Sequence, residues 1–64
     1  MIKKEMTILD IVAGYPQTED IFRSYDELTN KCVLCNNLFD TLVDFTEEYN
    51  IDLQELITKL NSSI

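Results

Sequence analysis

A regularly spaced stripe of apolar residues in the second half of the chain is the strongest constraint on the fold. Its members are separated by four, three and four positions: Leu38, Leu42, Phe45 and Tyr49. This spacing places them along one face of an α-helix. The chain also has only one glycine and one proline, so it lacks the turn residues that a sheet-rich protein needs. We therefore predict an all-α fold, built as a compact bundle of four to five short helices.

Residues that start and stop helices divide the chain into segments. Thr7, Thr41 and Asp52 each have an acidic residue three positions later, which is the pattern of a capped first turn. Asn50 suits the left-handed residue that often ends a helix, and Pro16 suits the first turn of a new one. The predicted helices are approximately 8–13, 16–25, 42–49 and 53–61. The first of them is predicted to carry Ile8, Leu9, Val12 and Tyr15 on or beside its apolar face, with Ile11 flanking it.

The two halves of the chain share a motif. The segments 7–15 and 41–49 both have a threonine, an aspartate three positions later, a large apolar residue directly after it and a tyrosine at the end. The repeat indicates two helical hairpins packed face to face, with the cysteines in the connection between them. Two capped helices that each end in an aromatic residue could also have converged on this motif, and the sequence leaves both explanations open.

The length and charge of the chain limit what it can bind. Sixty-four residues are enough for one small domain, 1–64, in which residues 1–6 form a polar lead-in that can fray. Such a chain buries only about 60% of the surface that its unfolded form exposes. A net charge of −7 repels phosphate backbones and anionic headgroups, so we expect no nucleic-acid partner and no membrane partner. No secretory or transmembrane segment is visible, and we expect a cytoplasmic protein.

The two cysteines carry the most specific chemical signal. Cys32 and Cys35 are separated by two residues, a spacing that serves a dithiol–disulfide couple, half of a metal site, or two small buried side chains. A disulfide needs Cα atoms roughly 4.4–6.8 Å apart, which a helical turn provides. If the pair is redox-active, we predict that Cys32 attacks, because Lys31 and a helix start lie beside it, and that Cys35 resolves. Acidic charge in the vicinity, such as Asp40, opposes the thiolate.

No complete catalytic or metal-binding set accompanies the cysteines. The chain has no histidine, so a metal held by Cys32 and Cys35 would need carboxylates in a monomer, an uncommon set for a structural site, or the same cysteine pair of a second copy in a dimer. The single glycine excludes a glycine-rich phosphate loop. We therefore predict no cofactor and no activity as a free-standing enzyme, and the oligomeric state stays open.

The order of several motifs resembles a known family. The motifs cover the chain from about residue 2 to residue 61: Met6-Thr-Ile-Leu-Asp-Ile-Val-Ala-Gly-Tyr-Pro16, Ile21-Phe22, Cys32-x-x-Cys35, Thr41-Leu42, and Tyr49-Asn-Ile-Asp-Leu53 followed by Leu56 and Leu60. In this order they resemble the small hybrid-cluster-protein-associated redox-disulfide domain, a domain of unknown function. The resemblance implies a compact all-α fold, a redox disulfide carried by Cys32 and Cys35, and association with an iron–sulfur (hybrid-cluster) protein.

The chain departs from the family pattern around the cysteines. Asp26 stands where the family usually has glycine, and the segment Glu27–Lys31 lengthens the approach to the first cysteine. Leu34 stands where the family commonly has glycine, directly before the second cysteine. A longer approach and a bulkier turn both affect how far the sulfur atoms are exposed.

Two functions follow from these observations. The first is a thiol–disulfide accessory protein that passes electrons to or from a protein partner through Cys32 and Cys35. The alternative is a non-catalytic helical interaction module whose cysteines are structural or hold a metal shared across a dimer. The distance between the two sulfur atoms and their exposure are the structural features that bear on this choice, because buried sulfurs cannot exchange.

Overall fold

The computed structural model describes residues 1–64 and confirms the all-α fold class. It contains six α-helices, one 3₁₀ turn and no strand. The helices are α1 (Ile8–Gly14), α2 (Glu19–Arg23), α3 (Asp26–Thr29), α4 (Val33–Asn36), α5 (Leu42–Tyr49) and α6 (Leu53–Ser62). The 3₁₀ turn, Pro16–Thr18, connects α1 to α2.

The longer helices lie where the sequence predicts them. α5 matches the predicted segment 42–49, and α1 and α6 each extend one residue beyond their predicted ends. The predicted helix over 16–25 is divided into the 3₁₀ turn and α2, because Thr18 donates its N–H and its Oγ1 hydrogen to the Tyr15 carbonyl at 2.9 and 2.7 Å and so tightens the first turn. The single-turn helices α3 and α4 were not among the predicted segments, since four residues are too few to show a period.

The starts of α1 and α5 pair with each other in a locally two-fold arrangement. Thr7 and Thr41 form an isolated antiparallel bridge. Around it, backbone N–H groups donate to carbonyl oxygens in pairs related by the offset that separates Thr7 from Thr41: Ile8 to Asp40 (3.0 Å) with Leu42 to Met6 (3.1 Å), and Leu9 to Leu38 (2.8 Å) with Val43 to Lys4 (3.2 Å). The repeated motif of the sequence thus corresponds to a repeated backbone pairing.

Threonine side chains complete both helix starts. Thr7 Oγ1 accepts the N–H of Asp10, and Thr41 Oγ1 accepts the N–H of Asp44, each at 3.1 Å. The fourth N–H of each helix donates to the carbonyl of its own threonine, from Ile11 to Thr7 and from Phe45 to Thr41. The first three N–H groups of α1 and of α5, which have no acceptor inside their own helix, are therefore all satisfied.

The symmetry of the two caps predicts similar losses when either is removed. Thr7→Ala and Thr41→Ala should each lower the free energy of unfolding by about 1 kcal/mol, because each leaves one helix-start N–H without its acceptor. Urea titration followed by circular dichroism measures the loss. Thr58→Ala is the control, since Thr58 is exposed within α6 and its replacement should change stability by less than about 0.5 kcal/mol. Equal values for all three variants would contradict the role of the caps.

Ten side chains form one hydrophobic core between the helices: Ile2, Ile8, Ile11, Phe22, Tyr25, Val33, Leu42, Phe45, Leu56 and Leu60. Phe45 is fully buried and meets the rings of Tyr25 and Tyr49 edge-on, with ring centroids 6.5 and 5.4 Å away. The apolar face of α1 differs from its predicted orientation, because Leu9 is 38% exposed while Ile11 is buried.

The first residues of the chain are attached to the last helix. Ile2 is 1% exposed, and the side chain of Asn61 binds its backbone on both sides. Asn61 Oδ1 accepts the Ile2 N–H at 2.8 Å, and Asn61 Nδ2 donates to the Ile2 carbonyl at 3.3 Å. The polar lead-in thus contributes a core residue, Ile2, which the sequence pattern does not indicate because the residues that follow it are polar.

Candidate functional site

Cys32 and Cys35 are joined by a disulfide bond. Cys32 is the residue before α4, and Cys35 lies one turn further on, inside the helix. The two Cα atoms are 5.2 Å apart, within the range of ordinary disulfides. The prediction that a helical turn brings both sulfurs within bonding distance is therefore confirmed.

The disulfide lies at the surface, and the aliphatic side chain of Val33 in the same turn is buried in the core. Cys35 is an exposed residue and Cys32 is partly exposed. Val33, between them, is fully buried in the core, while Leu34 is partly buried against it. Val33 thus fills apolar space at this turn. The cysteines do not, so the interpretation of both thiols as buried hydrophobic filler does not describe this structure.

The backbone around the pair directs hydrogen bonds at Cys32. The N–H of Cys35 donates to Cys32 Sγ at 3.2 Å. The same N–H also donates to the Cys32 carbonyl at 3.1 Å, and this carbonyl accepts the Asn36 N–H at 3.1 Å and the Asn36 side-chain amide at 3.0 Å as well. The Cys35 N–H is thus shared between the sulfur and the carbonyl of Cys32, and it places a hydrogen-bond donor against Cys32 Sγ.

A carboxylate binds the first amide of the same turn. Asp26, the first residue of α3, accepts the N–H of Val33 at its Oδ1, 3.0 Å away. The segment between them is an ordered turn: Asn30 has the left-handed φ of 58°, and the N–H of Lys31 donates to the Asp26 carbonyl at 3.3 Å. Asp26 therefore connects α3 directly to the start of α4. No sequence motif indicates this contact, because the residues are seven positions apart in different helices.

The turn after the disulfide joins the site to the paired helix starts. Asn37 is 4% exposed, and its Nδ2 donates to the Asp40 carboxylate at 2.7 Å. The backbone carbonyls of Leu38 and Asp40 accept the first two N–H groups of α1. The Asp40 carboxylate, which the sequence placed near the cysteines, is thus occupied by Asn37. The backbone carbonyl of Asp40 is one of the two that accept N–H groups of α1, so the segment that follows α4 is attached to the start of α1.

Two large apolar side chains on either side of the cysteines in sequence point into solvent. Phe39, four residues beyond Cys35, is 83% exposed, and Leu28 in α3 is 66% exposed. Both belong to the segments that flank the disulfide turn. Exposed apolar residues of this size favour contact with another protein when they lie together.

No group of three or more cysteine, aspartate or glutamate side chains is arranged to hold a metal ion, and no pocket opens at the surface. None of the helices combines the length and the apolar character needed to span a bilayer. The chain matches no protein-family model, and no curated protein or solved structure shows a significant similarity to it.

Proposed function

We propose that this protein is a thiol–disulfide accessory that exchanges two electrons with a partner protein through Cys32 and Cys35. The observation that carries the proposal is a formed disulfide at the surface of the fold, with Cys35 exposed, Cys32 partly exposed and Val33 fixing the turn in the core. Exchange requires access to sulfur and a turn that survives both redox states. The core contact of Val33 is made by its own aliphatic side chain, which is not part of the S–S bond.

The reaction runs through a mixed disulfide. In the direction that oxidises the pair, the Cys32 thiolate attacks one sulfur of a partner disulfide, and a partner thiolate leaves. The Cys35 thiolate then attacks Cys32 Sγ, which releases the second partner thiolate and re-forms the Cys32–Cys35 bond. Two electrons reach the partner, and the protons of the two thiols pass through solvent to the released thiolates. The reverse sequence reduces the pair.

The assignment of Cys32 as the attacking sulfur rests on its surroundings. The Cys35 N–H points at its Sγ, and Lys31 directly precedes it as an exposed cation. Both stabilise the thiolate, which is the reactive form. Cys35, one turn further on, is in bonding distance to resolve the intermediate.

The partner that we propose is another protein, and an iron–sulfur redox protein in particular. The exposed side chains of Phe39 and Leu28 support a protein partner, because they offer apolar contact area on the segments that flank the disulfide. The resemblance to the hybrid-cluster-protein-associated redox-disulfide domain supports an iron–sulfur partner. We place the exchange in the cytoplasm, where thiol couples are kept in turnover by reducing systems.

The measurement that tests this function is the midpoint potential of the pair. Equilibration in glutathione or dithiothreitol buffers, followed by alkylation and mass spectrometry, should give half oxidation between about −200 and −320 mV, the range in which cytoplasmic couples operate. The Cys32→Ser/Cys35→Ser variant is the control and should show no change in mass with potential. A pair that stays fully oxidised or fully reduced throughout this range would leave the helical interaction module, with structural cysteines, as the better description.

A further inference from the structure

We infer that Asp26 is a positioning residue of the disulfide turn, which anchors the start of α4 through Val33 and at the same time restrains the reactivity of Cys32 through its negative charge. This inference rests on the proposed redox function and deepens it, because it names the residue that regulates the pair.

The geometry sets Asp26 apart from the other acidic residues. Its Oδ1 accepts the Val33 N–H at 3.0 Å, and it is the only carboxylate hydrogen-bonded to the backbone of α4. Val33 N is bonded to the carbonyl carbon of Cys32, and the nitrogen is therefore four covalent bonds away from Cys32 Sγ. Standard bond lengths therefore keep the carboxylate oxygen within about 8 Å of that sulfur. This is about one Debye length at physiological ionic strength, so the charge is felt at Cys32.

The remaining charged groups near the turn either have a partner or are exposed. α4 itself carries no charged residue. On α2, which packs against α4, the charged residues are Glu19, Asp20 and Arg23, and Arg23 pairs with both carboxylates. Asp40 binds Asn37. Lys31, the cation beside Cys32, and Glu27 are exposed and form no ion pair, so neither charge is fixed to α4 by a hydrogen bond as that of Asp26 is.

The two effects of Asp26 act in opposite directions and can be separated by substitution. As a hydrogen-bond acceptor it satisfies the first N–H of α4 and fixes the turn that presents both sulfurs. As an anion it disfavours a second negative charge on Cys32. Asp26→Asn keeps an oxygen acceptor at the same place but removes the charge. Asp26→Ala removes both the acceptor and the charge.

The test measures the titration of Cys32 as the sole thiol. In reduced Cys35→Ser protein, thiolate absorbance at 240 nm gives the midpoint of Cys32 ionisation, and circular dichroism verifies that each variant is folded. Adding Asp26→Asn should lower that midpoint by about 0.4–0.8 pH unit, which is the effect of one charge at about 8 Å with an effective dielectric constant between about 40 and 80. Glu27→Gln, a neutralisation at the next residue with no bond to α4, is the matched control and should move the midpoint less.

The outcomes separate this inference from the proposed function. An unchanged midpoint in the Asp26→Asn background, or an equal shift in the Glu27→Gln background, would overturn the role of Asp26 while leaving the redox couple intact. A wild-type pair that never exchanges with glutathione would instead remove the redox function, whatever the titration shows. Asp26→Ala should weaken hydrogen-exchange protection of the Val33 amide, whereas Asp26→Asn should retain most of it. Equal protection in both variants would remove the anchoring role.

Discussion

Replacing Phe45 by alanine is expected to lower the free energy of unfolding by about 3–5 kcal/mol, the usual loss for a fully buried phenylalanine. A chain of this length has roughly 3–10 kcal/mol in total, so the variant should be largely unfolded at moderate urea concentration or slightly raised temperature. The loss falls at the upper end because Phe45 also contacts the edges of Tyr25 and Tyr49, and aromatic pairs contribute beyond the area they bury.

The chain offers a matched control for this experiment. Phe39→Ala makes the same chemical change at a side chain that is 83% exposed, and it should alter stability by less than about 0.5 kcal/mol. Urea and thermal unfolding, followed by circular dichroism and tyrosine fluorescence, report both variants. Similar losses for Phe45→Ala and Phe39→Ala would contradict the arrangement of the core around α5.

The helix starts and stops were predictable because the interactions that make them are local. Thr7, Thr41 and Asp52 each accept an N–H three residues later, and Asn50 has the left-handed φ of 55° expected of a helix terminator. Each of these contacts involves a side chain and a backbone group within one turn. A residue type at a fixed spacing is enough to specify them.

The contacts between distant segments were not predictable in the same way. The repeated motif pointed to two similar helices, but nothing in it states that the two starts pair through Thr7 and Thr41. The orientation of α1 was also missed, because a helix of seven residues is too short for its period to distinguish Leu9 from Ile11. Ile2 lies in the core with its backbone hydrogen-bonded to the side chain of Asn61, which is a contact between the two ends of the chain.

At the candidate site, too, the local feature was predictable from the sequence and the contacts between distant segments were not. The spacing of Cys32 and Cys35 was sufficient to predict that they come within bonding distance, since one helical turn determines the separation of their Cα atoms. The exposure of the cysteines depends on which residue of their turn is buried. Val33 is that residue, and its burial follows from the packing of α4 against α2. The Asp26 contact depends on the path of the chain through α3, which no local pattern encodes.

Single serine substitutions at the disulfide should prevent the complete two-electron exchange with a partner and, in doing so, distinguish the two sulfurs. Neither Cys32→Ser nor Cys35→Ser can form the intramolecular disulfide, so neither should complete a two-electron exchange with glutathione. They should differ in the first step. Reduced Cys35→Ser should accumulate a mixed disulfide with oxidised glutathione about 3–10 times faster than Cys32→Ser, because a stabilised thiolate raises the reactive fraction.

The comparison of the two serine variants shows whether the stability of the thiolate or the exposure of the sulfur determines which cysteine reacts faster. Cys35 is the more exposed residue, so access alone predicts faster reaction at Cys35, whereas the N–H aimed at Cys32 Sγ predicts faster reaction at Cys32. Because the thiol form is nearly unreactive, the fraction of thiolate should decide, and Cys32 is partly exposed and therefore reachable. Alkylation of reduced wild-type protein with limiting iodoacetamide, mapped by mass spectrometry, should accordingly label Cys32 first. Predominant labelling of Cys35 would reverse the roles of the attacking and the resolving cysteine, while the exposed disulfide itself would still support exchange.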